Sequence, residues 1–418
     1  MGLRSTRRAL SLLLTAVVLP ACAAEAELAP PPPPPPPPPM AAAPAPPAAA
    51  APAPPPVAPP VAAANPTETM RRTLDAYVAA FNAHDARKLA DCYKPEAVVA
   101  TTGPSGLAEH RGRDAIEKQH IGLFSSMPDI RMATERVLVQ GDVAVQQWAS
   151  VATYKPANDP NAVAKPVGIR GLTLFWIDTS DGQVRRDHTY YDAATLSVQM
   201  GMHKGRVRPP PTLPGGAGEW VMAGGPNEAR NVETVKALWS AVERKDDKIW
   251  GDAYTEDVQL VNINEAEDRR GRKTAKEALG VLVRAFPDIK LTPQNAWGVG
   301  DFVVAEAVLG GTHKNALGPF NPTHKAVTFH FVDVFQFRDG KIAQATSYAS
   351  NLEMLTQIGV GAPPAKPKKP AATGGGGGSP GSAAAKTPAK DGAPKPPANK
   401  PAAKPPATTP PAPPKPKP

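Results

Sequence analysis

Cysteine is nearly absent: the 418 residues contain two, Cys22 and Cys92. A disulfide framework is thereby excluded, and whatever folds must be held by an apolar core. Charge of one sign is missing from most of the chain. The formal charge of +9 hints at nucleic acid or an anionic surface, yet from Gly361 onward there are ten lysines and one acid, Asp391, so residues 1–360 sum to zero. The body of the protein is therefore not basic, and no nucleic-acid-reading signature interrupts it. Also missing are a Gly-rich phosphate loop, a Gly-x-Ser-x-Gly elbow, a Cys-x-x-Cys pair and any His/Cys/carboxylate set at metal-ligand spacing. No cofactor and no metal are expected.

Proline, by contrast, is abundant, and its 54 residues are segregated. Twenty lie between Pro30 and Pro66 and eighteen between Pro363 and Pro418, so two low-complexity arms flank an ordinary middle long enough for two domains. Arg4, Arg7 and Arg8 precede an apolar run from Ala9 to Leu19 and small residues around Cys22, the layout of a signal peptide over residues 1–21. Leu19-Pro20-Ala21-Cys22 is similar to a bacterial lipobox, which makes Cys22 a lipidation candidate with simple secretion as the alternative. Residues 22–66 read as an extended polyproline stalk, and residues 361–418 as a Lys/Pro/Ala-rich arm suited to an anionic envelope polymer. The expected location is the outer membrane, through a lipid anchor at Cys22, or the periplasm or surface of a Gram-negative cell.

The middle repeats itself. Arg111-Gly112-Arg113 recurs as Arg270-Gly271-Arg272, Pro128-Asp129-Ile130 as Pro287-Asp288-Ile289, and Tyr190 as Tyr348, at a nearly constant offset. Two domains follow, residues 67–204 and 227–360, with a linker over 205–226. Copy one opens with helical periodicity from Thr67 to Asn82, a short helix near Asp85, and a third helix at Asp114 with Glu117 at capping-box spacing; Thr274 and Glu277 match it in copy two. Strands follow over residues 137–151, 167–177 and 184–191, and over 299–309, 326–337 and 341–348. Helices followed by mainly antiparallel strands make an α+β domain.

Phe81-Asn82-Ala83-His84-Asp85, the Arg-Gly-Arg helix entry, Phe286-Pro287-Asp288-Ile289, Gly311-Thr312-His313 and Phe335-Gln336-Phe337-Arg338-Asp339-Gly340-Lys341-Ile342 resemble the SnoaL-like polyketide cyclase and ester cyclase group of the nuclear transport factor 2-like superfamily. The resemblance spans both copies. It implies two tandem cones, helices packed on a curved mixed sheet, each enclosing a pocket for a small apolar or polycyclic molecule. It also implies that the two domains pair within the chain, as homodimers of the superfamily do. The family's cyclases place a carboxylate near the end of the last strand as general acid/base, and that position matches Asp192.

Alternation of the strand puts His188, Tyr190 and Asp192 on one face, where an imidazole, a phenol and a carboxylate would divide acid/base and enolate-binding roles. Asp192 reads equally as the N-cap of a helix over 193–202, and copy two has Ser350 there with Glu353 three residues on, a capping box without acid/base capacity. Asp333, among Phe331, Phe335 and Phe337, is either a pocket acid, a partner of Arg338, or part of an outward face. Trp148, Trp176, Tyr348 and His313 complete the candidate pocket, and Cys92 reads as a packed thiol. Two functions stand side by side: domain one as an acid/base cyclase or isomerase, and a non-catalytic ligand-binding or scaffold protein of the envelope.

Overall fold

The computed structural model describes residues 65–103, 106–156 and 161–359. The leader, Cys22, the proline stalk and the Lys-rich arm lie outside the described residues. Copy one runs α1 (Pro66–Asn82), α2 (Ala86–Asp91), β1 (Tyr93–Gly103), β2 (Gly106–Arg111), α3 (Arg113–Ser126), β3 (Arg131–Gln140), β4 (Val143–Tyr154), β5 (Lys165–Asp178), β6 (Gln183–Tyr191) and α4 (Ala193–Met200). A short strand, β7 (Glu219–Met222), follows. Copy two runs α5 (Glu228–Arg244), α6 (Asp247–Asp252), β8 (Tyr254–Asn262), β9 (Arg269–Arg270), α7 (Arg272–Ala285), β10 (Lys290–Val299), β11 (Phe302–Thr312), β12 (Ala326–Arg338), β13 (Lys341–Ala349) and α8 (Asn351–Ile358). The α+β class expected from the sequence is the one observed.

Each copy forms an open mixed sheet. The orders are β2-β1-β6-β5-β4-β3-β7 and β10-β11-β12-β13-β8-β9. Only β1 with β6, β8 with β13, and β3 with β7 are parallel. The strands after the second helix were not foreseen, because Lys94, Pro95 and Glu96 open β1 without alternation.

Both faces of the central strands are buried, so β4 is covered at nearly every position, Gln146, Gln147 and Ser150 included. One face packs under its own helices: Met70, Leu74, Tyr77 and Phe81 of α1 lie against Val139, Phe175 and Ile177 in copy one. The other face packs on the other copy's sheet. Leu138, Val145, Leu172 and Leu174 form one cluster with Phe302, Val304, Val332 and Val334. The two sheets thus meet back to back along a shared seam.

The helix starts required a correction. Asp114 and Thr274 do not cap their helices; Gly112 and Gly271 do, at φ 81° and 96°, and neither cap is made by a side chain. The glycines take a left-handed conformation that side chains disfavour. Their amides donate to Ala97 O and Val258 O at 2.8 Å, and Arg113 Nε and Arg272 Nε donate to Tyr93 O at 2.6 Å and Tyr254 O at 2.9 Å. The repeated Arg-Gly-Arg therefore ties each helix entry to the adjoining strand.

Candidate functional site

The helix-covered interior of copy one holds an acid that alternation alone did not reveal. β5 and β6 pair with Phe175 opposite Asp187 and Thr173 opposite Thr189, and these positions face α1. Asp187 is 2% exposed. Its Oδ2 accepts from Tyr93 Oη at 2.5 Å, while Oδ1 is buried without a partner. Burial pushes the carboxyl up to about 7, against the opposing pull of the Tyr93 hydroxyl. Burial and the same carboxylate together drive Tyr93 well above the usual phenol range. Tyr77 of α1 packs edge-on to Phe175 and to Tyr93, closing the group from the helix side. Trp148 forms the adjoining wall, its indole N–H donating to Thr173 Oγ1 at 3.0 Å above Gly171, where a Cβ would lie 2.2 Å from the ring.

Copy two places its interior acid one strand away. Asp333 lies opposite Ser347, the register pair equivalent to Thr173 and Thr189, and Ser347 Oγ donates to Asp333 Oδ1 at 2.5 Å. Burial raises Asp333 to about 7, opposed by that hydrogen bond. The alternative pairing with Arg338 is not made: Arg338 reaches Asp257 at 2.5 Å.

His188, Tyr190, Trp176 and Tyr348 face the other way. The expected common face with Asp192 fails because residues 186, 188 and 190 point into the seam and β6 ends at Tyr191. Asp192 begins α4, its Oδ1 accepting from Ala194 N at 3.2 Å and its Oδ2 from Thr195 N at 2.9 Å and Thr195 Oγ1 at 2.6 Å. Burial lifts it to about 6 against those bonds, but its oxygens are occupied by the cap and the adjoining space is only about 10 Å³. In copy two Ser350 makes no side-chain cap and Glu353 is no capping-box partner; it accepts from His330 N at 3.1 Å and meets His330 Nδ1 at 2.8 Å.

Across the seam, Glu306 of β11 receives the residues of copy one. Its Oε1 lies 2.7 Å from His188 Nδ1 and accepts from Tyr190 Oη at 2.7 Å; its Oε2 accepts from Asn295 Nδ2 at 2.5 Å. Burial alone would raise this carboxyl, yet the bonds from His188, Tyr190 and Asn295 hold it below the usual range. Arg186 Nε donates to His188 Nε2 at 2.9 Å, which leaves Nδ1 as the protonated ring nitrogen facing Glu306. Tyr348 makes the reciprocal contact, its hydroxyl accepting from Gln147 Nε2 at 2.8 Å. Beside Glu306 a cavity of about 510 Å³ opens, lined among others by Trp176, Arg186, His188 and Asn295.

His313 is fully buried beside Phe286, with Nδ1 3.1 Å from Thr323 Oγ1, and no metal-holding cluster occurs among the described residues. Cys92 is a half-buried thiol pushed up to about 11 by burial, bonded to Lys88 O. Sequence reasoning missed Asp187, Arg186 and Glu306. Only the last carried a readable signal, a lone acid inside the apolar stretch Val303-Val304-Ala305-Glu306-Ala307-Val308.

The family model described as SnoaL-like polyketide cyclase matches residues 231–358, and that described as SnoaL-like domain matches residues 74–186. No curated protein matches the chain. Among solved structures, a protein of Jannaschia sp. CCS1 described as a SnoaL-like polyketide cyclase is 24% identical, over 34% of this chain and 99% of its own, with a TM-score of 0.32. IdmH of Streptomyces antibioticus, described as a polyketide cyclase, is 22% identical over 31% and 99%, with a TM-score of 0.28. A nuclear transport factor 2-like protein of Burkholderia pseudomallei is 20% identical over 31% and 97%, with a TM-score of 0.27. With one family model on each copy of the repeat, together spanning more than half of its residues, the chain belongs to the SnoaL-like family and carries two of its domains in tandem.

Proposed function

We propose that the protein is exported and that its first SnoaL-like domain acts on a small apolar molecule by general acid/base catalysis of the cyclisation or isomerisation type, with Asp187 as the proton-transfer group. Asp187 is buried, raised to about 7, held at one oxygen by Tyr93 and left with its other oxygen unpartnered. A carboxyl with that affinity exchanges protons in either direction near neutrality, and Oδ1, which no side chain among the described residues engages, is the oxygen that can do so. Oδ1 is the atom that takes and returns the proton, and the Tyr93 hydroxyl, through Oδ2, steadies the carboxylate while the proton is away. Asp192 plays no part in this chemistry, since its oxygens are spent on α4.

The test is deuterium exchange α to the carbonyl of 2-tetralone in D2O, followed by proton NMR with the full exported chain. Wild type accelerates exchange over buffer, and Asp187→Asn removes about 10²-fold or more of the acceleration. Exchange at the buffer rate for wild type overturns the catalytic reading. A second reading, binding without catalysis, is favoured by the 510 Å³ cavity that lies outside both helix-covered interiors.

The setting belongs to the same proposal. The leader and Cys22 support lipidation and an outer-membrane or surface location, and the ten lysines after Gly361 support retention on anionic envelope polymer. Cys22→Ser releases the protein from the membrane fraction on this reading; unchanged membrane association contradicts it.

A further inference from the structure

The seam between the copies is nearly two-fold symmetric, and its two halves are furnished differently. Register pairs the residues without ambiguity: Tyr190 lies opposite Leu172 as Tyr348 lies opposite Val332, and Asn295 opposite Glu306 as Arg136 lies opposite Gln147. By the same register, Arg170 matches His330, Gln344 matches Arg186, Thr346 matches His188, and Gln336 matches Trp176.

One half is filled by long charged side chains. Arg170 Nε donates to Glu135 Oε1 at 2.8 Å; Arg136 covers the Phe302 ring at 4.5 Å, donates to Gln147 Oε1 at 3.3 Å and pairs with Glu219 of β7 at 2.6 Å. Strand β7 itself lies along β3 with Glu219 in register with Arg136. In the other half the two arginines are replaced by Asn295 and His330, and the 510 Å³ cavity stands where their counterparts are packed.

What lines that cavity is a built recognition surface. Glu306, 2% exposed, sits at its floor as an ionised acceptor held by three donors. Arg186 stands at the exposed mouth, 5.3 Å from the Trp176 ring. Among the described residues it has no carboxylate partner, whereas neighbouring Arg185 is paired with Asp142. Trp176 is set edge-on to His188 and to Trp297, which fixes its plane. The volume falls within the range of sites for small organic ligands.

We propose that this half-seam binds a planar aromatic anion: the ring lies on Trp176, its carboxylate or other anionic group meets Arg186 at the mouth, and a hydroxyl or amino donor reaches Glu306 at the floor. A guanidinium over an aromatic face favours planar anions through charge-assisted bonds and stacking at once. Among the described residues Glu306 Oε2 accepts from Asn295 alone and has room for one more donor, so a ligand hydroxyl or amino group that reaches it gains a charge-assisted bond that a ligand without a donor forgoes. The site is separate from Asp187 and does not depend on proton transfer there.

The proposal is tested by isothermal titration calorimetry of the full chain with 6-hydroxy-2-naphthoate, 2-naphthoate and 2-naphthol. The hydroxy acid binds tightest, and each of the other two loses about tenfold or more. Arg186→Gln, which installs the residue of the filled half, removes the preference for the carboxylates while leaving 2-naphthol unchanged. Asn295→Arg with His330→Arg abolishes binding of all three. Because that pair of arginines can disturb folding, Trp176→Gln is measured beside it, with near-ultraviolet circular dichroism on each variant; it weakens all three probes. Equal affinity of the three probes overturns the ligand class. Binding that survives in a folded double-arginine variant, or the absence of binding by any probe to wild type, overturns the site. Both outcomes leave the exchange chemistry of Asp187 to be judged by its own assay.

Discussion

The two interior carboxyls should make the protein less stable as pH rises, and the size of the effect follows from their environment. Asp187 is buried and Asp333 is largely covered, and burial raises both from 3.8 to about 7. In the unfolded chain each ionises near its ordinary value, so between about pH 4 and 7 the folded state holds a proton that the unfolded state has released. Stability from each group is therefore fully present below about pH 4 and is lost as pH rises through about 7. Between pH 5 and pH 8 the loss is about 3 kcal/mol per group on this reasoning. Carboxyls held low by exposed partners, such as Asp178 and Asp288, complete their titration below that window. Histidines lowered by burial, His120 and His313, tilt the curve the other way, so the informative quantity is the difference between a variant and wild type. Asp187→Asn and Asp333→Asn keep the shape and remove the ionisation. Urea unfolding at pH 5 and pH 8 should show each variant gaining about 3 kcal/mol on wild type over that interval. A variant that tracks wild type at both pH values refutes the assignment of a near-neutral carboxyl to that position.

Other consequences follow from the same geometry. Asp192→Ala removes three bonds at the start of α4 and should cost about 1–2 kcal/mol in urea unfolding while leaving 2-tetralone exchange intact. Loss of exchange would instead return Asp192 to the chemistry. Tyr190→Phe strips one of the donors from buried Glu306 and should destabilise by about 1–3 kcal/mol, measured as a shift of the urea midpoint; no change would mean the bond across the seam is not made. Gly171→Ala drives a methyl into the ring of Trp148 and should lower stability by about 1–3 kcal/mol, with the near-ultraviolet tryptophan signal altered; an unchanged signal contradicts the packing. Deleting residues 361–418 should weaken retention on an anionic matrix at low salt and matter little at high salt, and equal retention at low salt removes the tail from the account.

The repeat, the order of helices and strands, and the family were legible because they depend on local pattern. Periodicity from Leu74 to Phe81, the Asp339-Gly340 hairpin and the recurrent Arg-Gly-Arg survive any choice of which sheet face points inward. The site was not legible, since that choice decides it. Each sheet is buried on both faces, so apolar alternation along β6 gives no direction: Leu174, opposite His188, packs in the seam, and Phe175, opposite Asp187, packs under the helices. A bulge between Trp176 and Ile177 adds a further change of parity that no composition signals. Choosing His188 and Tyr190 as pocket residues therefore passed over their neighbour Asp187, which is flanked in sequence by Arg186 and His188 and reads as part of a solvated charged run. Asp333 stood out because its neighbours on the interior face are phenylalanines, a contrast Asp187 lacks. The helix starts differ for another reason: Gly112 and Gly271 supply a backbone conformation, which outranked the capping-box spacing that begins at Asp114 and Thr274.

Proton transfer by Asp187 is decided by the pH dependence of 2-tetralone exchange, measured for wild type, Asp187→Asn and Asp192→Asn under the same buffers. A base that titrates at about 7 predicts a wild-type rate that climbs through that pH and levels above it, a flat residual rate for Asp187→Asn, and a profile like wild type for Asp192→Asn. A wild-type profile that follows buffer alone, or an inflection that persists in Asp187→Asn, would contradict the assignment of proton transfer to the interior of the first domain.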